Sequence, residues 1–149
     1  MEPPRLHAFG RFNASTRRLL GVAQAEAERR GGKFLVSGLI LLAAASKGDA
    51  FSAKLLSAMR TDLSTLVAAT DAEWSERSRY LQDEPATVVN EAINSTAAAT
   101  PPNRHPGIET LLAAMLSFDK SMASRVVRRL GGVPDALAKQ LNNLERADG

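Results

Sequence analysis

The sequence predicts an all-α protein of eight helices, arranged as two four-helix repeats related by a pseudo-twofold axis. Alanine and leucine are abundant and aromatic residues make up only 5% of the 149 residues, a composition that favours helix over sheet. The two most apolar runs begin at positions 37 and 108, a shift of 71 positions, and each ends in a short polar break. A constant shift of this length indicates a duplicated unit.

The first predicted helix covers residues 15–30 and is amphipathic. Asn13 or Ser15 caps its start, because a short side-chain oxygen accepts from the unpaired backbone N–H groups there. Val22 belongs to its apolar side. Gly31-Gly32 ends the helix, because glycine adopts the left-handed conformation at little cost.

The second predicted helix is the apolar run that begins at Ser37, its expected cap, and we expect it to be buried on most sides. Gly48-Asp49 breaks it before a third helix at about 49–59, and Asp62 caps a fourth. Residues 71–80 are then a linker or an extension of the fourth helix.

The second half repeats this plan. Pro85 suits the first turn of a fifth helix, and a proline-containing loop leads into the second apolar run. Gly131-Gly132 ends the helix after that run, and Pro134 starts the last one. We therefore assign 9–70 to the first repeat and 81–144 to the second, within a single domain of residues 1–149.

Composition excludes several classes of protein. The absence of cysteine removes disulfides, thiol catalysis and Cys-type zinc sites, and suits a reducing compartment. The N-terminus has no apolar signal region, and the longest apolar run is about half a bilayer span, so we predict a cytoplasmic protein. The net charge of +3 permits nucleic-acid or acidic-protein partners without requiring them.

No set of residues forms a recognisable catalytic, cofactor or metal motif. His7 and His105 lie in proline-flanked loops far apart in sequence, and we interpret them as exposed loop histidines rather than metal ligands. Ser37 has no adjacent base that would make it a nucleophile. The prediction is a protein that is not an enzyme and uses no cofactor or metal.

Three short motifs follow one another along the chain. Residues 9–13 read Phe-Gly-Arg-Phe-Asn, 17–20 read Arg-Arg-Leu-Leu, and 108–112 read Ile-Glu-Thr-Leu-Leu. In this order they resemble Phe-x-Arg-Phe-Thr, Arg-Arg-Val-Leu and Thr-Glu-His-Leu-Leu of the Clp N-terminal (Clp repeat) domain in ClpC- and ClpA-type unfoldase chaperones. The resemblance covers about residues 9–144.

This resemblance implies a double four-helix module that recruits substrates and adaptors to a chaperone. In some members, two Thr/Glu pairs at helix ends bind phosphorylated arginine. At the first pair, Asn13 stands in the Thr position and Gly38 in the Glu position, so this pair has no carboxylate here. At the second pair, Gln82 stands in the Thr position and Glu109 keeps the carboxylate. Phe9 matches an aromatic position near a groove that binds cyclic peptides between the repeats.

The chaperones of this family continue into ATPase modules with Gly-x-x-x-x-Gly-Lys-Ser/Thr loops, and this chain contains no such segment. The chain is therefore a stand-alone repeat protein or a fragment, and its natural-looking start and end favour the stand-alone protein.

Taken together, the sequence predicts a non-enzymatic protein-interaction module. Its partners are substrates, adaptors or components of a Clp chaperone–protease system, and its predicted partner-binding residues are Glu109, Gln82, Asn13 and Phe9. The alternative is a small-molecule or cyclic-peptide binding or sequestering protein that uses the groove between repeats.

Some residues have competing interpretations. Glu109 either binds a partner or only complements the positive end of a helix dipole. The arginines at 125, 128 and 129 form either a solvated face or, less often, a nucleic-acid surface. Trp74 and Tyr80 either half-cover the seam between two subdomains or form an exposed recognition patch.

Overall fold

The chain is all-α over the residues that the structure describes. The computed structural model describes residues 10–32, 35–80, 87–118 and 121–148, and at 76–80, 87 and 144–148 it describes the backbone alone. These residues form eight helices and no strands, as the sequence predicts. The helices are α1 (Ala14–Arg29), α2 (Ser37–Ser46), α3 (Ala50–Ala58), α4 (Leu63–Tyr80), α5 (Thr87–Ala99), α6 (Ile108–Leu116), α7 (Met122–Arg129) and α8 (Pro134–Asp148).

The apolar helix α2 lies at the centre of the core. Leu39, Ile40 and Leu41 are at most 1% exposed, and α1, α3, α4, α6 and α7 all pack against this helix. Burial on most sides, predicted from its composition, is confirmed. Helix α6, the second apolar run, is also buried, with Leu111 and Leu112 completely buried and α5, α7 and α8 packed around it.

Two buried serines organise the junctions that follow the two apolar helices. The Ser52 hydroxyl donates to the Ala44 carbonyl oxygen across 2.7 Å, and the Ser124 hydroxyl lies 3.2 Å from that of Leu116 and 3.0 Å from that of Phe118, between which it shares its hydrogen. Both bonds span eight residues and run from the start of one helix back to the end of the apolar helix before it. Each serine therefore satisfies a carbonyl oxygen that the end of a helix leaves without a partner.

The helices that carry these serines also end alike. Arg60, after α3, has a φ of 55°, and Gly131, after α7, has a φ of 87°. In both cases the next residue's N–H donates to a carbonyl oxygen five residues earlier, at 3.1 Å for α3 and 2.9 Å for α7. Such a left-handed residue closes a helix C-terminus, at no steric cost for glycine but at some cost for arginine.

Helix α1 ends in the same way, with a φ of 81° at Gly31 and a 2.8 Å bond from the Gly32 N–H to the Ala27 carbonyl oxygen, so this ending is not specific to α3 and α7. The packing of α1 on α2 and of α4 on α2 has counterparts in α5 on α6 and α8 on α6. The division into two repeats and a twofold axis relating them both stay predictions. Helix α4 runs without a break through residues 71–80.

The predicted helix caps at Asn13 and Asp62 are present, since each side chain accepts from the backbone N–H three residues ahead at 2.8 Å. Asp49, which the sequence marked only as part of a helix break, caps α3 in the same way at 2.8 Å. The prediction that Ser37 is the N-cap of α2 is wrong. Val36 is the N-cap of α2, and the completely buried Ser37 hydroxyl instead accepts from the N–H of Ala123 at the start of α7, across 2.9 Å.

Candidate functional site

Two of the predicted partner-binding residues, Asn13 and Glu109, lie side by side. Asn13 precedes α1, and the half-buried Glu109 is in the first turn of α6. A Cβ atom built on Gly107 would lie 2.8 Å from Oε2 of Glu109 and 3.3 Å from Nδ2 of Asn13. Both polar groups therefore face the same glycine, and a side chain there would displace the Glu109 carboxylate.

Arg11 fixes Asn13 in this place. Its guanidinium donates to the carbonyl oxygens of Thr100 and Pro101, at 3.0 and 2.7 Å, and also to those of Ala97 and Arg104. These carbonyl groups include the C-terminal end of α5, where the helix dipole is negative and favours a cation. The segment before α1 is thus bound to the loop before α6.

That loop is held by two further bonds. The Asn13 backbone N–H donates to the Pro106 carbonyl oxygen at 3.1 Å, and Nδ1 of His105 lies 2.9 Å from the carbonyl oxygen of Arg11. His105 is exposed, as predicted, but it contributes to the link between the two segments. His7 lies outside the described residues.

A small polar cavity of about 100 Å³ opens beside Asn13 and Glu109. Lys47 and Asp49 also line it, with Lys47 Nζ 3.7 Å from Oδ2 of Asp49 and donating to the Ser15 hydroxyl. The Ser52 backbone N–H donates to Asp49 and lowers the pKa of that carboxyl group. The cavity thus brings two carboxylates and one ammonium group together, where the first residues of α1, α3 and α6 converge.

The other predicted site residues are not part of this cluster. Phe9 and Gln82 lie outside the described residues. Gly38, which the resemblance paired with Asn13, is buried against α7, where an added Cβ would come within 2.6 Å of Cγ of Met122. Gly38 therefore permits the close approach of α2 and α7.

A second concave surface, which we name the α1 groove, lies along α1 where it faces α2 and α4. Its volume is about 490 Å³, and its apolar residues include Leu19, Leu42 and Val67. Val22, predicted to lie on the apolar side of α1, lines this groove and is 61% exposed. Sequence reasoning missed the groove, because it depends on how three helices pack together.

Charged residues flank both ends of the α1 groove. Arg18 and Lys47 lie toward the start of α1, and Arg29 and Arg30 toward its end. Glu26 accepts from both arginines at the latter end, and the bond from Arg29 is the main reason that its pKa falls to about 2.

A buried ion pair connects α4 to α7. Glu73 is 7% exposed, its Oε1 lies 3.1 Å from Nε of Arg125, and its Oε2 lies 2.9 Å from a terminal guanidinium nitrogen of Arg129. Two of the three arginines considered as a solvated or nucleic-acid face therefore bind an internal carboxylate. Sequence reasoning did not single out Glu73, although it follows the buried residues Leu66 and Thr70 at helical spacing.

The described residues include no group of three or more histidine, aspartate or glutamate side chains placed to hold a metal ion. None of the helices in this part of the chain is long and apolar enough to cross a bilayer. The chain matches no protein-family model and no curated protein sequence.

Proposed function

We propose that this protein is a non-enzymatic protein-interaction module that binds substrates, adaptors or components of a Clp chaperone–protease system. The observation that carries the proposal is the meeting of Asn13 and Glu109 over Gly107. Both residues belong to the motifs that resemble the Clp repeat domain, and the fold holds them together through Arg11 and the loop before α6.

The chemistry of the cluster suits recognition of a side chain. Glu109 and Asp49 supply carboxylate oxygens, and Lys47 supplies an ammonium group within the same cavity. A guanidinium group of a partner would form charge-assisted hydrogen bonds with the carboxylates, which are stronger than neutral ones. The cavity of about 100 Å³ has room for the end of one side chain while the rest of the partner lies on the surface.

The cavity is small for the alternative function. Sites for drug-sized ligands have volumes of roughly 300–1,000 Å³, whereas the cavity that α6 shares with α1 and α3 has about 100 Å³. A cyclic-peptide binder remains testable by a thermal-shift screen, because a bound ligand raises the unfolding temperature by mass action. A nucleic-acid surface on α7 is less favoured, because Arg125 and Arg129 bind Glu73.

Affinity capture from a lysate of the source cells tests the proposal. The wild-type protein and the Glu109→Gln variant, which loses the charge and keeps the size, serve as bait. The matched control is Glu91→Gln, the same change on the exposed surface of α5. We expect Clp ATPase, protease or adaptor subunits to be enriched by the wild type and the control and reduced with Glu109→Gln. Absence of every Clp component and Clp substrate from the wild-type capture would disprove the partner assignment.

A further inference from the structure

The α1 groove exposes apolar surface between charged ends. Leu19, Leu42 and Val67 line it, and Val22 beside them is 61% exposed. Contact with water at such a residue is unfavourable in proportion to its apolar area, and a partner with an apolar face would remove that area from water. The groove therefore has the composition of a binding surface for an apolar segment.

The cations near the start of α1 have no opposite charge beside them. The first turn of α1 contains no acidic residue, and Arg17 and Arg18 are exposed. Within the described part of the chain, neither arginine has an ion-pair partner. An acidic group of a partner would supply one to Arg18, which lines the groove.

The charges at the opposite end of the groove are already matched. Arg29 and Arg30 bind Glu26, and Arg30 also lies 2.9 Å from Asp71. The Arg30 guanidinium lies 5.6 Å from the ring centroid of the half-buried Trp74, which covers the end of α1. Uncompensated positive charge is therefore concentrated at one end of the groove, around Arg18.

We propose that the α1 groove binds an amphipathic helix of a partner protein whose acidic residues lie at the end that meets Arg18. This inference rests on the proposed function and names the chemistry of the partner. A helix in a groove inserts apolar residues at i, i+3, i+4 and i+7. The lining residues of α1 run from Ser15 to Arg29, a length of about 21 Å at 1.5 Å per residue, which accommodates about four helical turns.

An acidic helix fits this surface better than nucleic acid does. A nucleic-acid surface needs cations placed along a phosphate backbone, and its affinity grows with the number of phosphates neutralised. Here one end of the groove is charge-matched and the middle is apolar, with Val22 and Ala43 between the charged ends.

The first test is a display selection from a library of helix-forming peptides. The wild-type protein is the target, and the Val22→Glu variant is used for counter-selection. The control is Val133→Glu, because Val133 is 62% exposed and lies away from the groove. We expect enriched peptides to carry an apolar i, i+3, i+4, i+7 face with net negative charge at one end. Enrichment of basic or uncharged peptides, or no enrichment over the counter-selection, would overturn the inference.

The second test measures the affinity of an enriched peptide by fluorescence anisotropy. Val22→Glu is expected to weaken binding about tenfold or more, a change of about 1.4 kcal/mol, and Val133→Glu to leave it unchanged. Arg18→Glu should weaken binding and reduce its salt dependence, whereas Lys139→Glu on α8 should do neither. An equal loss of peptide affinity in Lys139→Glu, or tighter binding of a DNA duplex than of the peptide, would contradict the binding of an acidic helix in the groove.

Capture from lysate separates this inference from the proposed function. If Val22→Glu captures Clp components as well as the wild type does, the partner binds elsewhere and the groove assignment fails while the proposed function stands. If the peptides bind the groove but no Clp component is captured, the Clp assignment fails and the groove assignment stands. Thermal unfolding of each variant verifies that it is folded.

Discussion

The backbone N–H of Asn13 donates to the carbonyl oxygen of Pro106 across 3.1 Å. This bond places the start of α1 directly beside the loop that leads into α6, although the two residues are far apart in sequence. The predicted binding residues Asn13 and Glu109 are neighbours for this reason. Arg11 secures the link, since its guanidinium donates to several carbonyl oxygens of the same loop.

Arg11→Ala is expected to lower the free energy of unfolding by about 1–3 kcal/mol, because it leaves carbonyl groups at the end of α5 without their charged donor. It should also loosen Asn13, which hydrogen exchange at the amides of Asn13 and Thr16 would detect. Arg17→Ala is the matched control, since Arg17 is exposed and has no ion pair within the described residues. Equal protection of both amides in the two variants would show that Arg11 does not hold the site.

Ser52→Ala and Ser124→Ala should each destabilise the fold by about 1–3 kcal/mol. Each substitution leaves a buried carbonyl oxygen, of Ala44 or Leu116, without the hydroxyl that donates to it. Ser57→Ala, on the exposed side of α3, should change stability by less than about 0.5 kcal/mol. Urea unfolding measures all three. A large loss for one buried serine and none for the other would weaken the interpretation of the two junctions as equivalent.

The features that sequence reasoning predicted correctly are local in the chain. Asn13 and Asp62 cap helices through bonds to the third residue ahead, so a short window of sequence contains both partners. Ser37 has the same side-chain chemistry, but the N–H it binds belongs to Ala123, 86 residues away. No local pattern distinguishes the two situations.

The candidate sites required the packing of distant elements. The sequence marked Asn13 and Glu109 individually, but their meeting depends on the bond between Asn13 and Pro106. The exposure of Val22 depends on how α1 lies against α2 and α4, and the helical periodicity of α1 placed this residue inward. Periodicity identifies an apolar face, whereas the neighbours of that face decide which part of it is covered.

Gly38→Ala and Gly21→Ala should have opposite effects on stability. A Cβ at Gly38 would lie 2.6 to 3.0 Å from three atoms of the completely buried Met122, and the overlap is expected to cost about 1–3 kcal/mol. A Cβ at Gly21 has no neighbouring atom within 4 Å, and alanine within a helix is more stable than glycine by about 0.5–1 kcal/mol. Thermal unfolding of both variants shows whether each substitution raises or lowers stability. Stabilisation by Gly38→Ala would contradict the close contact of α2 with α7.

Glu73→Gln is expected to destabilise the fold by about 1–3 kcal/mol, less than the loss for a fully buried pair, because the partner side chains are partly exposed. The side chains of Arg125 and Arg129 are 27% and 35% exposed. Glu91→Gln on α5 should be close to neutral. Denaturant unfolding at low and at high salt measures the effect, and an unchanged stability in Glu73→Gln would show that this ion pair does not hold α4 to α7.

Acidification should remove the stabilisation that Glu26 contributes. Donation from Arg29 and Arg30 lowers the pKa of Glu26 from 4.5 to about 2 in the folded protein. The folded state therefore favours the ionised carboxylate, and the gain is fully present above about pH 4.5 and disappears as the pH falls toward about 2. The site is partly exposed, so we expect Glu26→Gln to be less stable than the wild type at pH 7 by no more than about 1 kcal/mol. The difference between the two proteins in free energy of unfolding should shrink to zero near pH 2, measured by urea unfolding across this range. A difference that stays constant between pH 7 and pH 2 would mean that the ion pairs of Glu26 contribute nothing to stability and that any loss in the variant comes from packing.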